Sequence, residues 1–138
     1  METKFTPLLC LAAFLFGDGI LRAQPAPDAQ IQRGKYLVEN VAMCGDCHTP
    51  KTDSGDYDRT AWLQGDVVDL KPLTKRPFAA VAPMIAGLPT FPKDEQAVKF
   101  FETGTNASGK LALSPMPQFR FNHDDALAVV AYLRSLKH

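Results

Sequence analysis

Apolar residues recur at three- and four-residue intervals near both ends of the chain. Across residues 28–43, Ile31, Gly34, Leu37, Val38 and Val41 follow the spacing of one buried helical face, with Asp28 available as the start signal. Toward the other end, Asn122 can cap a helix whose stripe of Ala126, Leu127, Val130 and Leu133, continued by Val129 or Leu136, precedes the basic Arg134 and Lys137. A third, shorter helix is predicted to open at Pro92-Lys93-Asp94-Glu95 and to run through Ala97, Val98, Phe100 and Phe101, with Gly104 as its stop. The stretch from Thr49 to Phe91 has Pro50, Gly55, Gly65, Pro72, Pro77, Pro83, Gly87 and Pro89, too many breakers for a long regular element. One helical turn over Asp58–Leu63 is expected within it, and the remainder reads as loop.

A different pattern precedes the first helix. Lys4, the apolar stretch Phe5–Phe16 and the sequence Leu21-Arg22-Ala23 before a polar Gln24-Pro25 read as a secretory signal peptide, residues 1–23, cleaved near Ala23. An uncleaved leader acting as an anchor is the alternative. The apolar run is interrupted by Gly17-Asp18-Gly19, short of the roughly 20 residues that a bilayer span needs. Residues 24–138 then form one domain. Cleavage takes two acids and two bases from the 15 of each, so the mature protein is formally neutral and lacks the basic excess of a nucleic-acid binder.

The mature chain has ten prolines in 115 residues, many for a packed helical unit. The long loop needs a reason as well. Cys44-Gly45-Asp46-Cys47-His48 supplies one for both, because the spacing C-x-x-C-H allows two thiols to attach one haem while the next imidazole reaches its iron. A buried macrocycle adds apolar core and gives a loop something to wrap. Of three cysteines, Cys10 belongs to the leader, so both remaining thiols are consumed. A structural zinc site would require a second pair of ligands, which is absent. No second C-x-x-C-H and no internal repeat occur, so one haem per chain is expected.

His48 is the proximal ligand by spacing. The sixth ligand is open among several residues. Met116 lies in Ser114-Pro115-Met116-Pro117, where flanking prolines restrict the backbone and hold a thioether in place. Met84 has one proline and apolar neighbours, and packing explains it better. Met43 adjoins Cys44 and is poorly placed to cross the haem. His123, beside a helix cap, and the terminal His138 read as surface histidines. Trp62, Tyr36 and Tyr132 read first as packing aromatics, with a haem-edge contact as the rival role. Arg59 or Lys71 could meet a propionate, and Lys71, Lys75 and Arg76 could steer an acidic partner, against the plainer reading of a solvated charged face.

These residues resemble a known family. Gly34-x-Tyr36-Leu37 before Cys44-Gly45-Asp46-Cys47-His48-Thr49-Pro50, then Arg59-x-x-Trp62-Leu63-x-Gly65, Met116-Pro117 and Ala131-Tyr132-Leu133-Arg134-Ser135-Leu136, are similar to small class I cytochromes c and to single modules of the cytochrome subunits of bacterial membrane-bound dehydrogenases. The resemblance implies an all-α fold whose terminal helices cross near Gly34, covalent haem c on Cys44 and Cys47, and His48 and Met116 as axial ligands. It further implies an exported, periplasmic single-electron carrier that is not itself an enzyme. Its expected partners are redox proteins, a dehydrogenase as donor and a respiratory oxidase or cytochrome as acceptor, with membrane contact only if the leader is retained. Two rivals stand beside it: a tightly bound subunit of one dehydrogenase, and a ligand-binding or peroxide-reducing haem protein with a labile sixth position.

Overall fold

The computed structural model describes Met1 and residues 27–136. The expected leader and its cleavage point near Ala23 lie outside the described residues, as does His138. Helix α1 (Pro27–Tyr36) runs straight into one π-helical turn, Leu37–Val41, which buries Leu37 and Val38. The predicted helix thus ends about two residues earlier than its apolar spacing suggested, with its last turn widened. Met43, at φ 48°, then reverses the chain into α2 (Gly45–His48), a single turn formed by the cysteine motif itself.

Helix α3 (Asp94–Thr103) has Asp94 and Glu95 in its first turn, where carboxylates complement the exposed N–H groups, and ends at Gly104 in the left-handed conformation, φ 69°. Helix α4 (His123–Ser135) starts at Asn122, whose side chain accepts a 2.9 Å bond from the Asp125 N–H. Its buried face of Ala126, Val129, Val130 and Leu133 packs against both α1 and α3. The terminal helices cross at Gly34: a Cβ there would lie 1.9 Å from the Ala128 carbonyl oxygen, so only a hydrogen permits the approach. Arg33 and Asp125 close the same crossing with a 2.8 Å ion pair.

Between α2 and α3 the chain is not all loop. A 3-10 turn, Arg59–Ala61, falls where a helical turn was expected, with Asp58 capping it through a 2.9 Å bond from the Thr60 N–H. Two short strands, β1 (Asp66–Val67) and β2 (Val81–Ala82), pair antiparallel with Asp66 opposite Ala82 and Val67 opposite Val81. Two residues are too few to leave an alternating pattern in sequence, so the spacing predicts only loop there. The loop segments are tied through Leu63, fully buried: its N–H donates to Thr49 Oγ1 at 3.0 Å, and its carbonyl accepts from Ile85 and Ala86. The fold is therefore helical, with the proline-rich segment bound back onto the cysteine turn.

Candidate haem site

One cavity of about 530 Å³ opens between the cysteine turn, the β1–β2 region, α3 and the segment ahead of α4. Cys44, Cys47, His48 and Met116 all line it. Val81, Ile85, Phe91, Phe100 and Phe119 supply much of its apolar wall. A volume of this size lies within the range of organic cofactor sites. Helix α3 divides its work: Phe101 turns into the protein core, while Phe100 faces the cavity and meets Phe91 at a 5.3 Å ring separation.

The π turn, the reversed Met43 and the single turn of α2 bring both thiols and the imidazole to one side of this cavity. His48 is buried, and its Nδ1 lies 2.7 Å from the Pro83 carbonyl oxygen. That carbonyl can only accept, so Nδ1 carries the proton and Nε2 keeps the free lone pair. Burial lowers the imidazole pKa, and the Pro83 carbonyl opposes it without overcoming it. The ring is neutral at neutral pH, as a metal ligand must be. Burial also pushes the Cys44 thiol up to about 12, so it is an uncharged thiol rather than a thiolate. Both cysteines are free of disulfide, and among the described residues no cluster of three His, Cys, Asp or Glu side chains is arranged to hold a metal ion. The donor set fits a thioether-bound haem: two free thiols, an oriented imidazole and a thioether around an apolar cavity.

Residues beneath the cysteine turn hold it from outside. The Trp62 ring packs so closely on Gly45 that a Cβ there would lie 2.6 Å from it. Trp62 Nε1 donates to Tyr132 Oη at 3.4 Å, and Tyr132 donates to Glu39 at 2.5 Å. The Lys51 ammonium reaches the Asp46 carbonyl at 3.1 Å and lies over the Tyr57 ring, whose hydroxyl bonds the Asp46 carboxylate. The Gly65 N–H donates to the His48 carbonyl at 2.8 Å. Arg134 donates to the Gly87 and Phe91 carbonyls, each at 2.6 Å, and pairs with Asp94, fastening the Phe91 wall to α4. In the sequence Arg134 is a basic residue near a helix end and part of the Ala131–Leu136 motif, and neither feature points to these contacts. Its carbonyl partners, like that of His48, are backbone atoms without a side-chain signature.

The other sequence candidates separate cleanly. Met84 is off the cavity lining and packs partly buried against the core. Met43 lines the cavity next to Cys44 in the chain. His123 is exposed and bonds Glu102 at 2.7 Å. Arg59 stacks over Trp62 at 4.4 Å and is not on the lining, and Lys71 and Arg76 border a separate groove beside it. Trp62, Tyr36 and Tyr132 do not reach the cavity.

A cytochrome c family model matches residues 31–137, and the chain belongs to the cytochrome c family. It is similar over 46 residues, at 44% identity, to a diheme cytochrome c-type protein of Cereibacter sphaeroides, covering 33% of this chain and 15% of that one. It is similar over 110 residues, at 31% identity, to the fructose dehydrogenase cytochrome subunit of Gluconobacter japonicus, covering 75% of this chain and 21% of that protein. The chain thus spans about a fifth or less of the curated relatives it matches. Family membership carries with it covalent haem c and electron transfer, and relates the chain to the cytochrome modules of dehydrogenases. No helix among the described residues is long and apolar enough to cross a membrane.

Proposed function

We propose that this protein is a periplasmic electron carrier holding one haem on Cys44 and Cys47, with His48 and Met116 as axial ligands, and that residues 24–138 form the carrier after loss of a leader at 1–23. The observation that carries the reading is the convergence of those four side chains on a single apolar cavity, with Met84 excluded from it. The haem would supply a one-electron Fe(III)/Fe(II) couple. The chain's own residues do the rest. His48, aimed by the Pro83 carbonyl, presents Nε2 to the iron. Met116, between two prolines, offers a thioether, a ligand that raises the potential relative to stronger donors. Phe91, Phe100 and Phe119 line the cavity and would shield the haem from water, while His48 and Met116 together would leave no iron position open to substrate.

The donor would be a dehydrogenase and the acceptor a respiratory oxidase or cytochrome. The likeness to a fructose dehydrogenase cytochrome subunit favours a second reading, in which the chain acts inside a stable dehydrogenase complex. Native gel filtration separates them: a free carrier elutes as a small monomer below the 15.1 kDa of the full 138-residue chain, a subunit with a large partner. Acid-acetone extraction tests the attachment beneath both. The haem must remain with the polypeptide, and release of free haem from the wild type would contradict the assignment.

A further inference from the structure

Asn106 lines the rim of the cavity, at the start of a tight loop closed by a bridge between Thr105 and Leu111. Its side-chain oxygen is fully engaged: Oδ1 accepts from the Ser108 N–H at 3.0 Å, the Ser108 hydroxyl at 2.8 Å and the Lys110 N–H at 3.0 Å. Backbone N–H groups can only donate, so the amide cannot be turned over, and Nδ2 is fixed as the outward group. That NH2 finds no acceptor among the described residues. The carboxamide is a donor of set orientation at the edge of an otherwise apolar wall.

A haem placed in this cavity brings two carboxylates that must reach solvent. Among the described residues no lysine or arginine side chain lines the cavity to receive them, and Arg59 is committed to Trp62. Asp46, the one carboxylate on the lining among the described residues, is already bonded by Tyr57. Thr90 also lines it, and among the described residues its hydroxyl has no hydrogen-bond partner. We infer that Asn106 donates its Nδ2–H to a haem propionate and thereby favours its ionised form. The inference rests on the haem reading above and extends it to a residue outside the ligand set. The charged groups around the loop are Lys110 within it, Arg120 beside Gly104, and Glu102, which is bonded to His123.

Asn106→Asp tests the donor specifically. An aspartate can keep the Oδ1 bonds from Ser108 and Lys110 and so preserve the turn, but it replaces the donor with a negative acceptor. A propionate that has lost a hydrogen bond and gained a like charge titrates at higher pH. Reduction potentials are measured against pH for the holoprotein, its Asn106→Asp variant and an uncharged Asn106→Ser variant. The expected result is a lower potential in Asn106→Asp, with the inflection of the potential–pH curve moved upward, and a smaller move in the same direction in Asn106→Ser. The new aspartate and the propionate raise each other's pKa, so the inflection in Asn106→Asp belongs to the pair, and Asn106→Ser, which adds no charge, isolates the loss of the donor.

Covalent haem is confirmed in each variant by haem stain and mass, independently of the potential. With haem present, coincident inflections in wild type and Asn106→Asp overturn the inference. So does a shift confined to the near-infrared sulfur-to-iron band, which would put the Nδ2 donor on Met116 instead. A wild type without covalent haem fails the underlying reading, a result distinct from either.

Discussion

His48 Nδ1 lies 2.7 Å from the carbonyl oxygen of Pro83, a residue 35 positions away, and this contact sets both the tautomer and the direction of the ring. The segment holding that carbonyl is pinned by Gly65, whose own N–H bonds the His48 carbonyl. Gly65 has φ +92°, and a Cβ on it would lie 2.8 Å from Ala82 O and from Met84 N. Gly65→Ala should therefore push residues 82–84 away from His48. The cost should be about 1–3 kcal/mol of stability. A weaker bond at Nδ1 also makes the imidazole a poorer donor to iron, so the reduction potential should rise. Thermal denaturation and voltammetry on the same sample check both effects, and an unchanged potential would show that the Pro83 carbonyl does not tune the ligand.

Much of the fold was legible because it rests on side-chain periodicity and fixed spacing. The apolar stripes around Gly34 and Leu133 marked the terminal helices, Asn122 marked the start of α4, and Cys44-x-x-Cys47-His48 marked the cofactor. The parts that escaped depend on backbone atoms or on chain reversal. The Pro83 carbonyl has no residue-type signal, and neither do the carbonyls that Arg134 gathers from residues 87–91. The π turn differs from α-helix by one residue per bond, which an apolar stripe of five residues does not resolve. Arg59 was a reasonable propionate candidate by charge alone, but stacking on Trp62 takes it elsewhere.

Acid should loosen the joint between α1, its π turn and α4. Burial works against the Glu39 carboxylate, but bonds from Lys35 and Tyr132 outweigh it and hold its pKa below the usual value. The Asp125 carboxyl is lowered chiefly by its bond from Arg33. Both groups bind protons more tightly in the unfolded chain. Their stabilisation is present above the unfolded values, about 4.3 for Glu and 3.9 for Asp, and is lost as pH falls through the lower folded values. The melting temperature should drop below about pH 4.5, and less steeply in a Glu39→Gln, Asp125→Asn double variant. Equal slopes would mean that other carboxylates govern acid unfolding.

Without its cofactor the chain should not hold this structure. Without haem the cavity of about 530 Å³ leaves Val81, Ile85, Phe91, Phe100 and Phe119 facing water, where full burial of each such side chain is worth about 1.5–3 kcal/mol, a sum comparable to a whole domain's stability. Cys44→Ala combined with Cys47→Ala should leave a haem-free protein largely unfolded in water. Circular dichroism reads this directly: full helical signal with a cooperative transition in haem-free protein would show that the core of α1, α3 and α4 suffices alone.

The assignment of Met116 as the sixth ligand decides whether the protein is a carrier or a ligand binder. The most direct measurement is the near-infrared sulfur-to-iron band of the oxidised protein, recorded with the reduction potential for the wild type, Met116→Ala and Met84→Ala. Met116 lines the cavity and Met84 does not, so the band should vanish in Met116→Ala, with the potential falling on the order of a few hundred mV and carbon monoxide gaining access to the iron. Met84→Ala should keep the band. Loss of the band in Met84→Ala, with its survival in Met116→Ala, would contradict the account.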